Sequence, residues 1–137
     1  MKGYLLKEKK ITIGEETFIE SVSPENNFEV IFEDDQETGY FYGAERNKES
    51  RELRILDMLL IYDVDSVDEA ERSATLALIW STDWLKCGLI LNNYCHAIFD
   101  FAANGGYNRH EFPPPNSIWT KQNRKLTDEM VAAIFDR

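Results

Sequence analysis

Residues 74–101 read ATLALIWSTDWLKCGLILNNYCHAIFDF, and the architecture turns on how this stretch divides. Three apolar runs, 74–80, 85–91 and 94–101, are separated by Ser-Thr-Asp and by Asn92-Asn93. Each run has the length of a strand, and the separators are turn formers. Asparagine tolerates positive φ, so Asn92-Asn93 suits a two-residue primed turn. The stretch reads as an antiparallel meander of three strands.

That register has consequences. With Asn92-Asn93 as the loop, Leu91 faces Tyr94, Ile90 faces Cys95, Leu89 faces His96 and Cys87 faces Ile98. Alternation puts Leu85, Cys87, Leu89, Leu91, Tyr94, His96, Ile98 and Asp100 on one face. Gly88, Ile90, Cys95, Ala97, Phe99 and Phe101 take the other. Both faces are mainly apolar, so both are expected to be covered, with the hairpin inside the sheet. Cys87 and Cys95 fall on opposite faces. A disulfide needs Cβ atoms within about 4.5 Å, so they are read as two buried thiols, as in a reducing compartment.

Working outward, residues 4–6, 11–13, 17–22 (TFIESV) and 28–32 (FEVIF) alternate as strands, with Phe28, Val30 and Phe32 on one face. Residues 40–44 return as a strand. The two arms form a hairpin whose tip carries Glu33, Asp34, Asp35 and Glu37. Residues 45–54 are a loop or short helix. The run 55–64 (ILDMLLIYDV) has no decisive period, and its neighbours favour a strand. Residues 63–72 form an acidic loop, and 102–106 a turn in which Gly105-Gly106 supply positive φ. A short strand is expected at 107–112. Pro113, Pro114 and Pro115 lack the N–H a ladder needs. The C-terminal helix has Thr127 as N-cap, Asp128 and Glu129 at its positive end, and Met130, Val131, Ile134 and Phe135 as its apolar stripe.

The expected fold is α+β: one domain dominated by an antiparallel sheet of about six to eight strands, with the C-terminal helix packed on it. The sheet core spans about 4–112, a proline-rich connector 113–116 and the helix about 127–136. A chain of 137 residues with 43% hydrophobic and 12% aromatic content can bury a core of that kind.

The formal net charge is −10, which argues against binding a nucleic-acid backbone. No apolar run reaches the roughly 18 residues of a membrane span. The start, MKGYLLKEKK, lacks the apolar core and small-residue cleavage site of a secretory signal. A cytoplasmic protein is expected. The acidic balance serves solubility, or it meets a basic protein partner.

The stretch 17–43, TFIESVSPENNFEVIFEDDQETGYFYG, together with IWS at 79–81, HAIFDF at 96–101 and YNRHEFP at 107–113, resembles a group of small bacterial proteins known as a domain of unknown function. The resemblance covers about 17–114. It implies a bacterial origin and an uncharacterised role, and it carries no catalytic residues over.

Several residue groups could carry chemistry. Glu33, Asp34, Asp35 and Glu37 offer hard oxygens for a divalent cation, but the spacing is not that of an EF-hand, and a solvated tip explains them as well. The run Asp63, Asp65, Asp68, Glu69 and Glu71 reads the same way. His96 and Asp100 share a face but lie roughly 13 Å apart along a strand, too far for a direct hydrogen bond. His110 sits between Tyr107 and Phe112 in a loop. Neither histidine has the spacing of a zinc site with the cysteines, so no metal and no cofactor are implied. Trp80 and Trp84 are core or pocket aromatics. No nucleophile has an evident base, and nothing positive points to an enzyme.

Two functions follow. The first is a non-enzymatic interaction protein that presents its acidic surface to a basic partner, with a toxin-neutralising, immunity-like role as one concrete form. The alternative is a small-molecule module or enzyme with a pocket lined by aromatics and His96 or His110. Self-association through a sheet edge is left open.

Overall fold

Side chains that alternate between apolar and polar form strands, because only a pleated chain puts every second residue into one core. The computed structural model describes residues 2–115, 118–121 and 123–135. Among these, nine strands and one helix form: β1 (Tyr4–Thr12), β2 (Thr17–Val22), β3 (Phe28–Asp34), β4 (Thr38–Arg46), β5 (Leu53–Asp63), β6 (Ser73–Trp80), β7 (Lys86–Leu91), β8 (Tyr94–Asp100), β9 (Gly105–Asn108) and α1 (Asp128–Phe135). Two short 3₁₀ turns, Val64–Ser66 and Glu69–Glu71, link β5 to β6. The fold is α+β and dominated by antiparallel sheet.

The strands form two sheets rather than one. The first has the order β1-β6-β7-β8-β9 and the second β2-β3-β4-β5. Between them lies the main core, with Val30, Phe32, Phe41, Leu59, Leu76, Leu78, Trp80, Leu89 and Phe99 all fully buried. The outer face of the five-stranded sheet carries a second core. There Ala77, Ile90, Cys95 and Ile98 meet Leu126 and Phe135, with Met130, Val131 and Ile134 of α1 packed alongside. Thr127 caps α1 as expected: its hydroxyl accepts from the Met130 N–H at 3.2 Å. Position 136 of the expected helix and position 116 of the expected connector lie outside the described residues.

The 74–101 meander forms in the middle of the five-stranded sheet. Asn92 and Asn93 have φ of 51° and 66°, the pair of positive values a primed turn requires. The expected register holds for Leu91 with Tyr94 and Ile90 with Cys95, then shifts. Leu89 pairs with Ala97, Gly88 with Ile98 and Cys87 with Phe99. The extra residue is His96, at a β-bulge. The bulge exchanges the faces expected beyond it: Ala97, Phe99 and Phe101 join Cys87, Leu89 and Leu91 in the main core, and Ile98 joins Cys95 and Ile90 under α1. Packing sets this outcome, because an unbulged strand would send Phe99 and Phe101 out of the main core. Both cysteines are free and buried, on opposite faces.

Residues 55–64 lie almost wholly within β5, followed by the first 3₁₀ turn. The loop expected at 45–54 is shorter, since β4 continues to Arg46 and β5 begins at Leu53. The last strand is Gly105–Asn108, earlier than expected. Gly105 and Gly106 belong to it, and positive φ falls instead on Asn104, at 54°. Gly106 is needed for room: an added Cβ would come within 2.8 Å of both the Asp57 carboxylate and the Phe99 ring.

Candidate functional site

The strand order brings four turns to one end of the molecule. These are the β1–β2 turn, the β3–β4 tip, the β5–β6 connection and the Asn92-Asn93 turn. Hydrogen bonds link the first three, and another ties the Asn92-Asn93 turn to β6. Gly14 N donates to Asp34 Oδ2 at 2.8 Å, Val64 N to the Glu37 carbonyl at 2.9 Å, and Asn92 N to the Thr75 carbonyl at 2.9 Å. Acidic runs far apart in sequence thereby share one surface. Glu15, Glu16, Asp35, Glu37, Asp63, Asp65, Asp68, Glu69 and Glu71 are all exposed there. Arg72 is also at this end, and its guanidinium donates to the Val64 and Val67 carbonyls of the β5–β6 connection.

The four carboxylates of the expected β3–β4 tip divide into different roles. Asp34 is fully buried, which corrects its reading as part of a solvated tip. Its Oδ2 accepts from the Tyr62 hydroxyl at 2.6 Å as well as from Gly14, and its Oδ1 accepts from Gln36 N at 2.7 Å. A buried carboxylate must be satisfied in this way. Burial and the Asp34 carboxylate together drive the Tyr62 phenol well above its ordinary range. Asp35 closes the turn by accepting from the Thr38 and Glu37 amides, which hold its carboxyl below its usual value. Glu33 is half-buried and accepts from Tyr42 at 3.4 Å. Glu37 alone of the four is an exposed side chain with no structural bond of its own.

Beside this acidic surface the two sheets part and leave an open cleft of about 510 Å³. Ile13, Ile61, Tyr62, Val67 and Leu91 line it, with Glu71, Ser73 and Asn92 at its margin and His96 in its wall. His96 is the unpaired residue of the bulge in β8 and stands in the cleft wall. Burial, and after it the nearby charges of His110 and Arg109, push the imidazole down to about 4. The ring is therefore neutral at pH 7. Tyr94 lies edge-on to it, with ring centroids 5.0 Å apart. His96 and Asp100 do not meet: Asp100 Oδ1 instead accepts from the Ala102 and Ala103 amides.

The other singled-out residues do not line this cleft. His110 is exposed and its Nε2 lies 3.1 Å from the Ile61 carbonyl, outside the cleft wall. Tyr107 packs partly against the α1 core. Trp80 is fully buried and its indole N–H donates to Ser21 Oγ at 2.9 Å, tying one sheet to the other. Trp84 stacks on Tyr4 with ring centroids 4.5 Å apart. Among the described residues, no group of three or more His, Cys, Asp or Glu side chains is placed to hold a metal ion.

Sequence reasoning missed a buried polar cluster where β5 meets β9. Arg124, fully buried, forms an ion pair with Asp57 at 3.2 Å and donates to the Met58 carbonyl. Thr120 donates to Asp57 Oδ2 at 2.5 Å and accepts from Gly106 N at 2.9 Å. Asn108 donates to the Leu60 and Phe112 carbonyls. Asp57, a lone carboxylate on the inward parity of an apolar strand, was the available signal. Its partners come from the irregular tail, which no periodicity marks.

The architecture defines a three-layer α+β protein, sheet on sheet on helix, with one acidic end. Over residues 11–135 the chain matches the family described as "Uncharacterized protein conserved in bacteria (DUF2251)", and it belongs to that family. A relative from Haemophilus influenzae, itself described as an uncharacterized protein, is 40% identical over 98 residues. The match takes in 70% of this chain and 60% of the relative, so the chain spans less than two thirds of that relative's length. No solved structure matches the chain. Among the described residues, no helix is long and apolar enough to cross a membrane.

Proposed function

We propose that the protein is a non-enzymatic interaction module that meets a basic protein partner through its acidic end. The observation that supports this reading is the gathering of acidic runs from three separate turns at one end, where the one arginine, Arg72, is engaged by the Val64 and Val67 carbonyls. Like charges held together repel one another in the free protein, and a cationic partner relieves that repulsion on docking. Neutralisation of a cationic toxin is one concrete form of such a role.

Salt and charge reversal test it. Immobilised protein should capture a basic protein from bacterial extract at about 0.05 M salt and release it at about 0.5 M, where exposed charges are screened within a few ångströms. The Asp65→Lys/Asp68→Lys/Glu69→Lys variant should lose the same partner. Capture of nothing at low salt, or full retention by the reversed variant, would overturn the reading.

A second reading, a small-molecule module, draws on the cleft beside His96. Its volume is within the usual range for small ligands, about 300–1,000 Å³. A metabolite screen by thermal shift tests it: a hit whose effect disappears in His96→Gln favours this reading, and an empty screen removes it.

A further inference from the structure

We infer that the cleft beside His96 is the socket in which the basic partner inserts one aliphatic or aromatic side chain, carried on a segment whose flanking lysines or arginines lie across the acidic rim. The inference rests on the interaction reading above and names the chemistry of the partner's contact segment.

Three observations carry it. The cleft wall is apolar at its most buried residues, Ile13, Ile61 and Leu91, all of them less than a tenth exposed. His96 in its wall is uncharged at neutral pH and the Tyr62 phenol keeps its proton, so the interior favours an apolar group over a cation. One margin is the reverse: Val67 and Glu71 there belong to the 63–71 connection, which also carries the exposed Asp63, Asp65, Asp68 and Glu69. An apolar cleft bordered on one side by the acidic 63–71 connection, through Val67 and Glu71, complements an apolar anchor next to cations, the arrangement of an interface hot spot with a polar rim. A second copy of this chain is a poor occupant, because the two acidic ends would face each other. The neighbouring β1 edge is also defended, by Lys7, Lys9 and Lys10 and by a bulge between Leu5 and Lys7.

The test compares two peptide probes of equal charge, acetyl-Lys-Lys-Leu-Lys-Lys-amide and acetyl-pentalysine-amide carrying one lysine acetylated at its centre. Both are titrated into the ¹⁵N-labelled full chain at low salt. The leucine probe should bind about tenfold tighter, the gain expected for sheltering one aliphatic side chain. It should shift the amides of Ile13, Val67, Leu91 and His96, whereas the acetylated probe should shift mainly 63–71. Ser73→Phe, which fills the cleft from an exposed position, should abolish the leucine advantage and leave binding of the other probe unchanged. Equal affinity of the two probes, or leucine-dependent shifts away from the cleft, would overturn the socket while the acidic-end reading stands. Failure of both probes to bind would overturn both.

Discussion

Asp57 and Asp63 lie on the same strand, β5, and charge is handled in opposite ways around them. Asp57 points inward at the seam with β9, where Arg124, Thr120 and the close backbone of Gly106 surround it. Asp63 is exposed at the strand's end, among carboxylates drawn from three different turns. At the seam, each charge has a matched partner, because an unmatched one would bear the full cost of leaving water. At the acidic end the charges keep their water, and no partner inside the protein is required. The seam is therefore a device of stability. The acidic end is a solvated surface.

The largest effect that would sharpen this contrast is at the seam. Asp57→Ala strands Arg124 in the interior and should lower stability by about 3–5 kcal/mol. Urea denaturation measures it, and Asp57→Leu/Arg124→Met should recover most of the loss. A cost under about 1 kcal/mol would mean that water reaches Arg124 and the seam is not closed. Next comes Gly106→Ala, which pushes a methyl into the Asp57 carboxylate and Phe99. It should cost about 1–3 kcal/mol by overpacking, read from the same denaturation curves.

His96 stands between the two regions and should produce a smaller, pH-dependent effect. Its folded value of about 4 lies below the ordinary 6.5, so the unfolded chain binds the proton first. The stabilising contribution is complete above about pH 6.5 and is lost as the pH falls toward about 4. His96→Gln should flatten that part of the stability profile, and an unchanged profile would show the ring to be solvated. The smallest effect belongs to the acidic end. Asp65→Asn/Asp68→Asn/Glu69→Gln should move stability by no more than about 0.5 kcal/mol, upward if at all, as repulsion eases. A marked loss would mean that these carboxylates hold the 3₁₀ turns together, and the contrast with Asp57 would fail.

Much of this was legible in local pattern. The Asn92-Asn93 turn, the meander and the cap and stripe of α1 all follow from residues close in sequence, whose preferences reinforce one another. The candidate site was legible only in its parts. Asp34 looked like one more tip carboxylate, because nothing local reveals that Gly14 and Tyr62 will close over it. His96 was assigned to a regular strand face, because a bulge leaves no mark on an alternating apolar stretch when both faces are buried.

The sequence by itself determined the strands, the terminal helix, the unbridged cysteines and the acidic balance, since each depends on side-chain type and short-range spacing. Only the tertiary structure decided that the strands part into two sheets, that separate acidic runs converge on one end, and that Arg124 returns from the tail to meet Asp57. Those outcomes depend on which distant surfaces pack best together. That preference belongs to the whole chain and is encoded in no single stretch of it.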